Sequence, residues 1–463
     1  MKWSSLYSDK RTGDRDNKTA NPDQIRTSFL RDYDRIIFSS AFRRLQNKTQ
    51  VFPLPGAVFV HNRLTHSLEV ASVGRSFGKS VGDTLAKKYG DGDTNFTEFY
   101  KYELASVIAA ACLAHDIGNP PFGHSGEDAI RSFFTNLDGE TSRIVKDHLS
   151  SNQLKDFELF EGNSNAFRTL TNSFNENEPG GYKLTYATLA SIVKYPCSSS
   201  EGFNKATGLI ATKKSGFFDA EIDTFAKIAQ DLEIPKKEGY DNVYARHPFV
   251  YLTEAADDIC YRIIDMEDAH RLQIASIEQI KELFLPFFSD DTGFNSLSYV
   301  EGKLDNINDD NQKVQYIRAR WIGLMIDKLS NIFIEHESDL LAGNLEKDLL
   351  KCLPDNDSQL IKRINEFSVK HIYNYKLVVE IEIAGYNVIG GLLKEFINAI
   401  LYPQNSKSDK IIKLISNQFP ITQNRKNLYS DIQSVVDFIS GMTDLYAIDL
   451  YRKITGISIP ELR

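Results

Sequence analysis

The sequence predicts an all-α protein: a helical core, additional C-terminal helices, and very little β structure. Two observations carry this expectation. Apolar residues recur at three- and four-residue spacing through long stretches. Strand-like alternation is confined to short pieces, Val51-Phe52 and the run from Gly208 to Phe218. In chain order the period predicts helices over 23–47, 62–89, 100–116, 124–135, 164–174, 185–194, 247–271, 312–343, 375–401 and 426–453. The 62–89 stretch keeps Arg63 and His66 on one face. The 100–116 stretch places Leu104, Val107, Ile108 and Ala111 on a buried face, and Gly118-Asn119-Pro120-Pro121 ends it because proline cannot continue a helix. A new helix then restarts at 124. The 247–271 stretch carries Asp257, Tyr261 and Asp265 at four-residue spacing, one stripe of carboxylate, phenol and carboxylate.

Between these helices, 195–245 is rich in Ser, Gly, Lys and Pro and reads as an irregular insertion, while 286–311 is rich in Asp, Asn and Ser. The expected organisation is a catalytic core over 1–285, with its insertion at about 195–245, and a C-terminal helical region over 286–463 packed on it. A chain of 463 residues can bury a large core. No segment reaches eighteen consecutive apolar residues and the first residues are polar, so neither a membrane span nor a secretory signal is expected, and the expected location is cytoplasmic. Cys112, Cys197, Cys260 and Cys352 are far apart and suit a reducing compartment as core filler. The net charge of −9, from 54 basic and 63 acidic residues, leaves nucleic acid a possible partner that charge does not indicate. Basic residues do gather locally, in Arg43, Arg44, Lys48 and Arg63 and again in Lys205, Lys213 and Lys214.

The densest chemistry lies in His115-Asp116, His124 and Glu127. Adjacent helix residues point about 100° apart, so His115 and Asp116 can share one ion only near a helix end, which the Gly-Pro run supplies. His66 and Asp257, on other helices, complete a set of two imidazoles and two carboxylates suited to a divalent ion. Asp258 could turn inward instead of Asp257; the spacing to Tyr261 and Asp265 favours Asp257. His124 and Glu127 sit three apart on one helix face, placed for proton transfer, though each could merely cap its helix. A lone histidine is more often core than ligand, and His61, His148, His247, His270, His336 and His371 are read that way. Glu161-Gly162-Asn163 reads as a turn and cap. There is no G-x-x-x-x-G-K run to cradle a nucleotide for kinase chemistry.

The order His66, His115-Asp116, Asp257 resembles the HD-domain metallophosphohydrolases. The string HDIGNPPFGHSGE is similar to the deoxyguanosinetriphosphate triphosphohydrolase branch, as are FRRLQNKTQVF (42–52), NRLTHSLEV (62–70), FEGN (160–163) and EAADDICYRIIDMEDA (254–269). The resemblance runs from about residue 25 to 270, with EIAGYNVIGGLL (382–393) suggestive beyond. It implies that His66, His115, Asp116 and Asp257 hold one divalent ion per subunit, Mn, Mg, Fe or similar. It also implies that His124 is the acid/base oriented by Glu127, and that Arg63 and Lys214 neutralise phosphates. Gln50, Tyr261 and Asp265 match positions that enclose a deoxyribose, Asp265 accepting the 3′-hydroxyl and Tyr261 crowding a 2′-hydroxyl. The implied reaction is water attack at the α-phosphorus of a deoxynucleoside triphosphate, dGTP by expectation, in a homo-oligomeric enzyme, hexamer or tetramer. Two rivals are an HD phosphohydrolase acting on deoxynucleoside monophosphates or another phosphoester, and a non-hydrolysing nucleotide- or single-strand-binding regulator.

Overall fold

The computed structural model describes residues 1–14, 26–52, 60–172, 179–288 and 293–458. The expected helical residues 23–25 and 173–174, and part of the 286–311 stretch, lie outside the described residues. Within them the chain is all-α, and its β structure is limited to isolated bridges such as Thr49 with Asn62 and Ser198 with Phe217. Neither Val51-Phe52 nor Gly208 to Phe218 forms a strand.

Three expected helices are broken, the 312–343 stretch among them, which becomes Asp310–Glu335 and Glu337–Ala342 with His336 between. The first becomes Ser28–Phe38 and Ser40–Arg44, because Ser39 is extended (ψ 146°) and its hydroxyl accepts a bond from the Phe42 amide at 3.1 Å, capping the second piece. The last becomes Leu428–Ser440 and Asp444–Ile454, with Thr443 capping the second. The insertion is more ordered than its composition suggests: it contains the Ile222–Asp231 helix and buries Phe217, Phe218 and Phe225. Helices Gly139–His148, Ser151–Glu158, Ile277–Phe284 and Asp355–Ser368 were not expected.

The helix that carries His66, Arg63–Tyr89, is capped by Asn62 and lies against Leu104–Ala114. Glycines at four-residue spacing permit the close crossing. A Cβ at Gly74 would lie 2.4 Å from Cys112 Sγ, one at Gly78 2.6 Å from Ala105 Cα, and one at Gly82 2.0 Å from the Tyr100 carbonyl oxygen. The run Gly78-Lys79-Ser80-Val81-Gly82 has the letters of a G-x-S-x-G nucleophile elbow, but it is helix interior and lacks the strand-to-helix turn that an elbow needs.

Two apolar cores result. The larger includes Val70, Phe77, Ile108, Phe249, Ile263 and Trp321, and so holds the helices bearing His66, His115 and Asp257. The second joins Phe122, Ile130, Phe134 and Phe157 to Leu392, Phe396, Val435 and Ile439. The chain therefore passes from one core to the other at the Gly-Pro turn. Gly385 fits this passage, since a Cβ there would lie 2.4 Å from the Phe122 ring, so the EIAGYNVIGGLL string is accounted for by packing.

Candidate active site

The Leu104–Ala114 helix is buried along its length and ends at His115. His115 Nδ1 lies 2.6 Å from the Cys112 carbonyl, which can only accept, so Nδ1 bears a proton and Nε2 is the nitrogen turned to the facing carboxylates. Asp116 follows in the turn, accepting from Arg63 Nη1 at 2.7 Å through Oδ2 and from Asn119 through Oδ1. The turn is pressed onto the start of the Gly162–Thr171 helix: a Cβ at Gly118 would lie 2.1 Å from the Ala166 amide nitrogen.

From the facing helices come His66 and Asp257. Asp257 Oδ1 lies 3.0 Å from His66 Nε2 and 3.5 Å from His115 Nε2. One ligand atom each from His66, His115 and Asp116 fall within 4.8 Å of one another. Asp258 turns away, 3.3 Å from Arg262, so Asp257 is the carboxylate that meets the imidazoles. Burial opposes charge here, yet Asp116 and Asp257 overcome it and hold the His115 pKa up at about 9. Burial likewise opposes ionising Asp257, and the two imidazoles still hold it well below the usual carboxylate range. Such a buried cluster attracts a cation, and its two imidazoles and two carboxylates fit a divalent ion.

A cavity of about 580 Å³ opens from the cluster. His115, Asp116, Asp257 and Arg63 form one end of its lining, while His66 is buried behind them. His124 and Glu127 stand at another side with Lys214, and Gln50, Tyr261 and Asp265 at a third.

At the second side, Gly123 has a left-handed φ of 58° and a Cβ there would lie 2.6 Å from Arg63 Nη2, so this turn needs glycine to deliver His124. His124 opens the His124–Thr135 helix, and its pKa is lowered by partial burial and by Lys214 and Arg63. The expected contact between Glu127 and His124 is not among the described hydrogen bonds. Glu127 instead accepts from the Gly162 amide at 2.8 Å and from Arg131 at 3.2 Å, and burial beside Glu161 pushes its pKa up to about 7. Glu161, read from the sequence as part of a turn and cap, makes no side-chain cap bond. It accepts from Lys214 at 2.9 Å, Arg131 at 3.0 Å and Asn163 at 2.6 Å, and so organises this side. The FEGN string was its only sequence signal.

At the third side, Asp265 is buried, accepts from the Tyr373 hydroxyl at 2.8 Å, and has its pKa pushed up to about 7 by that burial. Tyr261 lies under the Arg262 guanidinium at 4.5 Å, and Gln50 Oε1 is buried without a partner among the described residues. Tyr373 was not anticipated, nor was Lys194, which lines the cavity and pairs with Glu254 at 3.1 Å. Conversely, the first basic cluster mostly misses the cavity. Lys48 donates to the carbonyls of Asn119 (2.5 Å) and Ser440 (2.8 Å), Arg44 donates to Ser40, and Arg43 lies over the Phe38 ring. Lys205 and Lys213 line a separate cavity of about 260 Å³. His61, read as an ordinary histidine, bridges Asp268 (2.8 Å) and Glu69 (3.4 Å); against its burial they push its pKa up to about 10.

With this geometry in place, the comparisons are specific. Residues 63–195 match the model of the HD domain, and residues 352–453 that of the phosphohydrolase-associated domain. The chain is 37% identical over 474 residues to a deoxyguanosinetriphosphate triphosphohydrolase-like protein of Synechocystis, covering 99% of this chain and 100% of that one. It is 37% identical over 467 residues to a protein of the same description from Pseudomonas aeruginosa, with both chains covered completely. It is 31% identical over 500 residues to the deoxyguanosinetriphosphate triphosphohydrolase of Yersinia enterocolitica, covering 93% of this chain and 94% of that one.

Proposed function

We propose, from the premise that the chain belongs to the HD-domain family of deoxyguanosinetriphosphate triphosphohydrolases and is a hydrolase, that it cleaves deoxynucleoside triphosphates, dGTP foremost, to deoxynucleoside and inorganic triphosphate. The observation that carries this reading is one cavity joining the His/Asp cluster to His124 and Lys214 on one side and to the Asp265–Tyr373 pair on another. His66, His115, Asp116 and Asp257 would hold one divalent ion, Mn, Mg, Fe or similar, which supplies Lewis acidity toward phosphoryl oxygen and a more acidic water.

The protein's own groups then do the following. His124, neutral at pH 7 because its pKa is lowered, takes the proton of the water that attacks the α-phosphorus; the P–O5′ bond breaks and the imidazolium returns a proton to O5′. Glu127 fixes the His124 helix against Gly162 rather than gripping the imidazole. Arg63, Lys214 and Lys194 offset the charge of the triphosphate, which leaves intact. Asp265 accepts the 3′-hydroxyl, Tyr261 crowds C2′, and the unpartnered Gln50 Oε1 takes a donor from the substrate. A homo-oligomer, hexamer or tetramer, and a cytoplasmic location belong to the same proposal. Ile383 and Tyr386, three apart on the Lys376–Leu401 helix, are exposed apolar side chains that assembly would cover, and among the described residues no helix is long and apolar enough to cross a membrane.

The test is to incubate the protein with each deoxynucleoside and ribonucleoside triphosphate under Mn²⁺, Mg²⁺ or Fe²⁺ and separate the products. Deoxynucleoside plus triphosphate is expected, with dGTP preferred over GTP by about tenfold or more in kcat/KM. Orthophosphate release, or equal use of GTP and dGTP, contradicts the proposal.

A further inference from the structure

We propose that Asp444, in the phosphohydrolase-associated segment, is a positioning residue whose carboxylate clamps the two site loops that end in Gln50 and His124. The proposal rests on the triphosphohydrolase reading for what those loops do, and on geometry alone for the clamp. Asp444 is buried at the first turn of the Asp444–Ile454 helix. Its Oδ2 accepts from the Thr49 amide at 2.8 Å and its Oδ1 from the Phe122 amide at 3.1 Å. Neither amide has another acceptor among the described contacts. Thr49 immediately precedes Gln50, and Phe122 precedes Gly123-His124.

Three further observations support the clamp. Phe122 adopts φ 63°, a conformation that costs a bulky residue free energy and persists only where surroundings over-determine it. Here the surroundings are the Asp444 carboxylate on its amide and Gly385 under its ring. The Lys48 ammonium ties the same two loops to the preceding helix end, reaching Asn119 and Ser440. The break between the last two helices leaves the Ser440 carbonyl to Lys48, since in a continuous helix through 441–443 that carbonyl would accept from the Asp444 amide.

A carboxylate is required because two N–H donors converge on two oxygens. Asparagine offers one acceptor and opposes the other donor with its own N–H groups. Loss of the clamp displaces Gln50 and His124 together, and displacements of about 1 Å at such groups cost up to about 100-fold in rate. Among the described residues, no cation-cluster side chain hydrogen-bonds to Asp444.

The experiment compares D444N with T443A in the full-length protein. Thr443 caps the same helix by accepting from the Tyr446 amide at 3.3 Å but touches neither loop, so T443A weakens the helix and spares the clamp. The readouts are kcat and KM on whichever nucleoside triphosphate the wild type turns over, metal content, and amide hydrogen exchange at Thr49 and Phe122. D444N should keep its metal, lose about tenfold or more in kcat, raise KM severalfold and exchange both amides faster. T443A should lower the melting temperature with kcat and KM within about twofold of wild type. Wild-type kinetics with both amides still protected in D444N, or an equal kinetic loss in T443A, overturns the proposal. Should D444N fail to fold, D444E, which keeps the charge and displaces the oxygens by a methylene, is read the same way. If the wild type releases triphosphate from no nucleotide, the functional reading fails, and the exchange of the two amides still decides the clamp.

Discussion

The two ends of the cavity are built differently. At the cation end, His66, His115 and Asp257 project from helices of the larger core, and Asp116 follows directly on one of them; Cys112 and Asn119 hold His115 and Asp116 from within three residues, and Arg63, on the His66 helix, reaches Asp116. At the proton-transfer end, His124 and Glu127 ride on a helix of the second core, and their environment is set by Gly162, Glu161 and Lys214, brought from further along the chain. The first end is assembled from three helices within one core. The second is an agreement between two cores, so it should respond to changes far from the chemistry, as the Asp444 clamp does.

The comparison can be broken or sharpened by substitution. The largest effect belongs to Asp116→Ala, which removes a proposed ligand and leaves Arg63 buried without its partner. Metal content and turnover should both fall to background, and stability should drop by about 3–5 kcal/mol in the metal-free protein. Full metal content by elemental analysis would remove Asp116 from the ion. Next, His124→Ala should lose about 10²–10⁴ in kcat while retaining its metal. Loss of the ion there would erase the distinction between the two ends.

A smaller effect separates them by pH. The Glu127 pKa is raised to about 7 by burial and Glu161, so the stability contributed by its neutral form is whole below about pH 4.5 and lost as pH rises through 7. Glu127→Gln stays neutral throughout. Its advantage over wild type in chemical denaturation should therefore grow between pH 5 and 8, to on the order of 2 kcal/mol. A pH-independent difference would show that Glu127 is ionised across that range. The smallest effect is expected from Tyr373→Phe, which deletes the 2.8 Å bond to buried Asp265. KM for the deoxynucleotide should rise about fivefold, with metal and kcat little changed; an unchanged KM would place the sugar elsewhere.

The same contrast explains what the sequence made legible. Asp257 could be preferred over Asp258 because four-residue spacing to Tyr261 and Asp265 is a property of one helix, and the His115-Asp116 turn was readable because glycine and prolines end a helix locally. Ser39 was not read as a break because its extended backbone is stabilised by a cap that the apolar period does not encode. Residues 441–443 were missed for a similar reason, the apolar spacing continuing on both sides. Glu161 carried a motif but no visible role, since its partners Arg131 and Lys214 meet it only after folding. Tyr373 had no signal at all: it reaches Asp265 from 108 residues away. Local basicity shows charge and not direction, as at Lys48, whose ammonium donates to two backbone carbonyls.

The central claim is that water attacks the α-phosphorus of a deoxynucleoside triphosphate in the cavity between these ends. Turnover of dGTP in ¹⁸O-enriched water, with both products analysed by mass spectrometry, tests it most directly. One solvent oxygen in the released triphosphate and none in deoxyguanosine is the result expected. Label in the nucleoside 5′-hydroxyl, or labelled orthophosphate accompanied by a nucleoside diphosphate, would contradict it.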